Sequence, residues 1–206
     1  MRLSTKSLLA AVVLAAIPML ANAESEFTTG NGAISADAQL DFRVTIPKIL
    51  FLQVGTGTNV ANNATVDLID FVVPAANVGN GAAVAATAGS GDLGNGAVTA
   101  KVLGNNGDIT FTSTTAGALG NGAGDTISYG QIAAAVTNLV SAVPLPHPTL
   151  ADGATTTVTL SPTSGKVVNR DARWTFSYLN SNTVASGTYG GVNTNNGRVT
   201  YTASMP

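Results

Sequence analysis

The residues that could carry catalysis are few. The single histidine, His147, stands between two prolines, which is typical of a rigid, exposed loop. Serines and aspartates are plentiful enough for a Ser–His–Asp arrangement, but no serine lies in a G-x-S-x-G motif. The glutamates, Glu24 and Glu26, both lie near the front of the chain and make a poor pair for glycoside hydrolysis. We therefore expect no catalytic residue and no enzyme.

A repeated tetrapeptide, G-N-G-A, is the next candidate for a binding site. Its copies begin at residues 30, 79, 94 and 120, so they have no constant period, and only the last is followed closely by an acidic residue, Asp125. Glycine-rich calcium repeats need both a period and a regular aspartate. The pattern thus predicts no metal site and no cofactor. Because asparagine and glycine tolerate positive φ, it predicts tight turns.

Composition and charge narrow the class of protein. Arg2 and Lys6, an apolar stretch and then Ala21-Asn22-Ala23 are typical of a secretory signal peptide, predicted over residues 1–23. Without Arg2 and Lys6 the rest carries seven basic and eleven acidic residues and no cysteine. No basic patch indicates nucleic acid, and no other long apolar run indicates stable membrane insertion. Charged residues make up only 10% of the chain, as expected where neighbouring copies cover much of the surface.

Short strands separated by Gly/Asn turns dominate the rest of the chain. A hairpin is predicted where A-V-T-A-K-V-L and D-I-T-F-T-S-T flank the turn G-N-N-G. A short helix is possible within residues 131–142, where apolar residues have helical spacing, and residues 74–96 read as a loop or a weak strand pair. The pattern favours an antiparallel β-sandwich. Further strands are predicted at residues 48–54, 65–73, 126–132, 155–160, 172–179 and 198–204.

One segment alternates without interruption. Over residues 34–46, which we call the arm, every even position is apolar and every odd position is polar. A strand of this length would extend about 43 Å at about 3.3 Å per residue, and its apolar face must be buried in a groove of its own domain or of another copy. Pro47 then interrupts the pattern before the apolar run 49–52. The apolar face of the arm, predicted as a polymerisation interface, consists of Ile34, Ala36, Ala38, Leu40, Phe42, Val44 and Ile46.

The stretch A-Q-L-D-F-R-V-T-I-P-K-I-L-F-L-Q-V-G, together with the ending A-S-G-T-Y-G-G…G-R-V-T-Y-T-A-S-M-P, resembles the major subunits of bacterial chaperone–usher fimbriae. The cysteine-free colonisation-factor type is the most similar. The resemblance implies an immunoglobulin-like sandwich (residues 48–206) behind a leader and donor strand (residues 24–47). It also implies head-to-tail self-assembly on the cell surface, with a periplasmic chaperone and an outer-membrane usher as partners.

A secreted carbohydrate-binding module is the alternative. Five aromatic residues could stack on sugars, although the shared face of Trp174, Phe176 and Tyr178 favours a strand that packs into the core. Asn63-Ala64-Thr65 matches a glycosylation acceptor, but a turn before a strand is the simpler interpretation. The five aromatic candidates for sugar stacking are Tyr129, Trp174, Tyr178, Tyr189 and Tyr201.

Overall fold

Strands and their connecting loops make up almost all of the described structure, a computed structural model that covers residues 25–162 and 164–206. The predicted signal peptide lies outside the described residues. The chain divides into a first unit that ends at Ile46 and a second unit, Pro47–Pro206.

Ten strands form among the described residues of the second unit, all paired antiparallel. The described residues include no α-helix, and strands account for 32% of them, so the all-β, antiparallel prediction is confirmed. The strands are β1 (Leu50–Val54), β2 (Val84–Ala85), β3 (Ala97–Gly104), β4 (Ile109–Thr115), β5 (Leu119–Gly120), β6 (Thr126–Ile127), β7 (Ile132–Thr137), β8 (Thr155–Leu160), β9 (Val168–Tyr178) and β10 (Val199–Ser204).

Two sheets face each other across the core, as in a β-sandwich. The first sheet has the order β1-β3-β9-β2, with β7 also paired to β9, and the second has the order β10-β4-β8. Alternate side chains from both sheets point inward, and the rings of Phe111 on β4 and Trp174 on β9 lie 6.0 Å apart, both fully buried. The aromatic stripe of β9 is therefore core, because Phe176 and Tyr178 are buried beside Trp174.

The predicted hairpin is wrong, although both of its strands exist. β3 pairs with β1 and β9, whereas β4 pairs with β10 and β8, so the G-N-N-G connection carries the chain from one sheet to the other. Asn105 and Asn106 within it hold other segments of the domain by their side chains. Because strands on either side of a turn alternate in the same way whether or not they pair, the sequence pattern could not distinguish these two arrangements.

The short helix that the apolar spacing allows within residues 131–142 does not form. Residues 132–137 form β7, which lies along β9 from Tyr178 to Arg173. A short apolar, alanine-rich run fits either period, and pairing with the long buried strand β9 decides the outcome here. The predicted strand at 126–132 is reduced to β6 and a 3-10 turn, Tyr129–Gln131. No strand forms at 65–73, whereas the strands predicted at 48–54, 155–160, 172–179 and 198–204 correspond to β1, β8, β9 and β10.

Residues 74–96 contain a 3-10 turn, Ala75–Asn77, the short strand β2 and hydrogen-bonded loops around buried Asn180. The side chain of Asn180 accepts a hydrogen bond from Gly79 N (2.9 Å) and donates one to Asn77 O (2.7 Å). The main-chain carbonyl of Asn180 accepts a hydrogen bond from Gly81 N (3.0 Å). Gly79 has φ +69°, and a Cβ there would lie 2.6 Å from Thr183 N. The G-N-G-A copy at 79 is thus a turn, as predicted, anchored on one asparagine.

Replacing Asn180 with alanine should destabilise the domain. Gly79 N and Asn77 O would lose the partner of a part-buried hydrogen bond, and each such loss costs about 1–2 kcal/mol. We expect Asn180→Ala to lower the free energy of unfolding by about 2–4 kcal/mol in urea titrations. Ser181→Ala, at the exposed neighbouring position, is the matched control and should change it by less than about 0.5 kcal/mol.

Candidate functional site: an exposed arm and an apolar groove

The arm presents its apolar face to solvent. Phe42 is 86% exposed, Val44 83%, and Leu40 and Ile46 76% each. Ile34 is 55% exposed, and Ala36 and Ala38 are exposed as well. No strand is assigned to residues 34–46. Large apolar side chains in a row are rarely left in water unless they mark a site of interaction.

A groove of about 870 Å³ runs through the second unit. Its floor includes the core residues Val98 and Phe176, and most of the side chains around it are apolar. The arrangement contains no convergent set of acids, bases or nucleophiles. An elongated apolar groove with open polypeptide edges is suited to binding an extended peptide.

One wall of the groove is residues 66–73, the continuation of β1 beyond the loop at 55–64. Ile69 and Phe71 pack against the core, whereas Val66 and Val72 remain 56% and 65% exposed. Among the described residues, this segment pairs with no strand. Its main-chain hydrogen bonds are made at Asp70, where the main-chain oxygen accepts from Thr87 N (2.8 Å) and the main-chain nitrogen donates to Ser90 Oγ (3.0 Å). Most of this wall is therefore main chain available for pairing.

The edge strand β10 also lines the groove. Val199 and Tyr201 line the groove, and β10 pairs with β4 alone within the described part of the chain, so it is an edge strand of the second sheet. Ile127 and Ile132 also line the groove. An apolar groove lined by an unpaired strand edge and by a main-chain segment with few hydrogen-bond partners has the features that strand addition requires.

The groove residues are not apparent from the sequence alone, in which residues 65–73 predict an ordinary strand. The available signal is that both alternating faces of V-D-L-I-D-F-V-V are mainly apolar. That two-faced pattern is typical of a strand buried on both sides. The lining residues from 184–193 carry no comparable signal and reach the groove only through the fold.

The side chain of Asn105 anchors the start of the second unit. Its amide donates to Pro47 O (2.8 Å) and its oxygen accepts from Ile49 N (2.9 Å). Lys48 Nζ donates to Pro206 O (2.5 Å), as does Asn106 Nδ2 (2.7 Å). The chain therefore enters the domain at a defined pole, beside the end of β10 and at the opposite end of β1 from the groove, whose lining begins at Val54.

The prediction that His147 lies in an exposed loop is wrong. Its ring packs edge-on against Trp174, with centroids 4.7 Å apart, and against Phe176 at 5.3 Å. Its Nε2 hydrogen-bonds the Tyr201 hydroxyl at 2.7 Å. Burial lowers the pKa of His147 to about 4, so the ring is neutral at pH 7. No serine hydrogen-bonds it among the described residues, and its neighbours are those of a core residue.

The aromatic residues proposed as a sugar platform do not form one. Trp174, Tyr178 and Tyr129 are buried, and Tyr189 and Tyr201 are partly buried. The Tyr129 hydroxyl donates to Asn196 O (2.7 Å), and burial, together with the charge of Asp152, raises its pKa to about 12. These rings stabilise the domain instead of presenting a flat face for sugars.

The possible glycosylation acceptor occupies a turn. Asn63 Oδ1 accepts a hydrogen bond from Thr65 N (2.7 Å), which is the geometry of an Asx turn. Within residues 25–162 and 164–206, no three acidic, histidine or cysteine side chains come together as a metal site. The same residues include no helix long and apolar enough to span a bilayer.

Comparison with models of known protein families and with curated proteins finds no match to this chain.

Proposed function

We propose that this protein is the structural subunit of an extracellular fimbria that polymerises head-to-tail by donor-strand exchange. In this proposal the arm of one copy lies in the groove of the next and completes an immunoglobulin-like sandwich that lacks one strand. The observation that carries the proposal is that the chain has an exposed, alternating apolar segment and also an apolar groove lined by the open edge of β10 and by the unpaired segment 66–73.

The dimensions and chemistry of the two surfaces agree. The wall formed by residues 66–73 is about 26 Å long at about 3.3 Å per residue, enough for the arm from Leu40 to Ile46 at about 23 Å. This stretch holds four of the five large apolar side chains of the arm, the fifth being Ile34. Burying Leu40, Phe42, Val44 and Ile46 contributes about 6–12 kcal/mol, to which main-chain hydrogen bonds along the arm are added.

Connectivity favours insertion into another copy. Ile46 is joined directly to Pro47, which Asn105 holds at the pole of the domain away from the groove. An arm that leaves at that pole is available to the groove of a neighbour. Since arm and groove are different surfaces, each contact leaves one of each unused, and the assembly extends as an open filament.

The remaining parts of the proposal come from the resemblance to chaperone–usher subunits. A periplasmic chaperone would cover the groove during export, and an outer-membrane usher would exchange the chaperone for the arm of the next subunit. The finished fimbria would lie outside the cell and serve adhesion or biofilm formation. The partner at every step is a polypeptide strand, so no cofactor, nucleic acid or metal is required.

Electron microscopy of the purified exported protein, with and without residues 24–46, tests the proposal. We expect filaments from the complete mature chain and single domains from the truncated one, because the truncated chain keeps the groove but has no donor strand. A synthetic peptide of residues 34–46 should then raise the melting temperature of the truncated domain, because a ligand that binds only the folded state stabilises it.

The control peptide carries aspartate at the positions of Leu40 and Phe42 and should leave the melting temperature unchanged. Filaments formed by the truncated chain would refute strand exchange through the arm. A complete mature chain that remains a monodisperse monomer would refute the fimbrial function itself.

A further inference from the structure

The outer face of the second sheet is an ordered array of hydroxyl side chains. Because β10, β4 and β8 pair in register, their outward residues align across the strands in three rows, with an uncharged threonine or serine at each of the nine positions. The outward side chains of β8 and β10 are exposed, and those of the central strand are exposed or half-buried. The rows of this threonine array are Thr200–Thr114–Thr155, Thr202–Thr112–Thr157 and Ser204–Thr110–Thr159.

Strand propensity alone does not account for the array. Threonine is common on the solvent face of strands, but the other sheet of the same domain carries Lys101, Asp171 and Arg173 among its outward positions. Here eight of nine positions have the same side chain. Neighbouring side chains repeat at about 4.8 Å across the strands and about 6.8 Å along them, the spacings of a pleated sheet.

These properties restrict the ligand. A small molecule is bound in a concave pocket by a few different polar groups, whereas this face is an outer sheet surface that repeats one group. Because the array carries no charge, it does not complement nucleic acid or anionic lipid. It also includes no aromatic ring, on which the apolar faces of sugar rings would stack. A repeating, uncharged array is complementary to a partner that is itself uncharged and periodic.

We propose that the threonine array binds ordered water at the surface of ice. Each threonine offers a hydroxyl that both donates and accepts hydrogen bonds and a methyl group that restricts adjacent water. Repeated at regular spacing, these groups can hold a water layer that continues into the ice lattice. Three hydroxyls of the array already make hydrogen bonds within the sheet: Thr114 Oγ1 and Thr155 Oγ1 lie 2.8 Å apart, and Thr112 Oγ1 donates to Thr202 O (3.5 Å).

Partition into slowly grown ice tests the inference, with ice as the only ligand. The complete mature protein should be enriched in the ice fraction, and the double variant Thr157→Lys/Thr202→Lys should lose this enrichment several-fold, because both ends of the central row lose their hydroxyls and gain charge. Thr126→Lys, an exposed strand residue outside the array, is the control and should behave as the unaltered protein. A second pair in another row, Thr110→Lys/Thr159→Lys, should repeat the loss.

Thermal unfolding of each variant shows that the fold is retained. Exclusion of the unaltered protein from ice, or equal enrichment of all variants, would overturn the proposal. Binding to insoluble cellulose that the array substitutions abolish would also overturn it, because the partner would then be a polysaccharide. The outcome is independent of polymerisation, since the array lies on the outer face of the second sheet, whereas Val199 and Tyr201, the β10 residues that line the groove, alternate with the array positions.

Discussion

Replacing Leu40 and Phe42 with glutamate is expected to abolish filaments and leave folded single subunits. Both side chains are more than three-quarters exposed in the free arm and would be buried in the groove of the next copy. Losing their burial removes about 3–6 kcal/mol, which weakens the contact by about two to four orders of magnitude. Introducing two carboxylates into an apolar groove adds a desolvation cost. Size-exclusion chromatography and electron microscopy would measure the effect.

The matched control places the same two charges on the polar face of the arm. Gln39→Glu/Thr45→Glu should still form filaments, because odd positions face away from the groove in strand geometry. Mixing the Leu40/Phe42 variant with unaltered protein adds a sharper test. The variant keeps its groove but has no functional arm, so it should end growing filaments and shorten them in proportion to its fraction. Filaments of normal length in such mixtures would show that the arm does not act as the donor.

Replacing His147 with phenylalanine is expected to remove much of the acid sensitivity of folding. The pKa of His147 is about 4 in the folded domain, whereas in the unfolded chain it has its ordinary value of 6.5. Between these two pH values the unfolded chain therefore binds a proton that the folded domain does not. The histidine therefore carries no penalty above pH 6.5 and destabilises the fold increasingly as the pH falls, by about 3 kcal/mol once it reaches 4. The phenylalanine variant should lack this contribution.

The measurement is the free energy of unfolding of both proteins between pH 4 and pH 7.5. At pH 7 the variant should be less stable by about 1 kcal/mol, because the Tyr201 hydroxyl loses its partner. Towards pH 4 the difference should reverse. Around the ring, β9 contributes Trp174 and Phe176 and β10 contributes Tyr201, whose pKa burial raises, so no carboxylate compensates the imidazolium. Parallel pH profiles of the two proteins would contradict this account.

The conformations of short segments were largely predictable from the sequence. The strands β8 and β10 and the turn at Gly79 follow from alternation and from asparagine and glycine, which act over a few neighbouring residues. The alternation of the arm is likewise visible without any structure, as is its need for a hydrophobic partner surface. The prediction of an exposed His147 was wrong because the flanking prolines indicate only the local chain conformation. They carry no information about the rings of β9 and β10 that pack against the histidine.

Pairing partners could be decided only by the tertiary structure. The G-N-N-G segment forms a turn whether the flanking strands pair with each other or lie in different sheets. Residues 132–137 form a strand because they pair with β9, although their spacing also allowed a helix. The groove depends on residues 66–73 and β10, which are more than 120 positions apart. The alignment of the threonines of β10, β4 and β8 likewise depends on pairing between strands that are distant in the sequence. Sequence periodicity determines which face of a strand is apolar, whereas the choice of neighbour depends on long-range packing that periodicity does not contain.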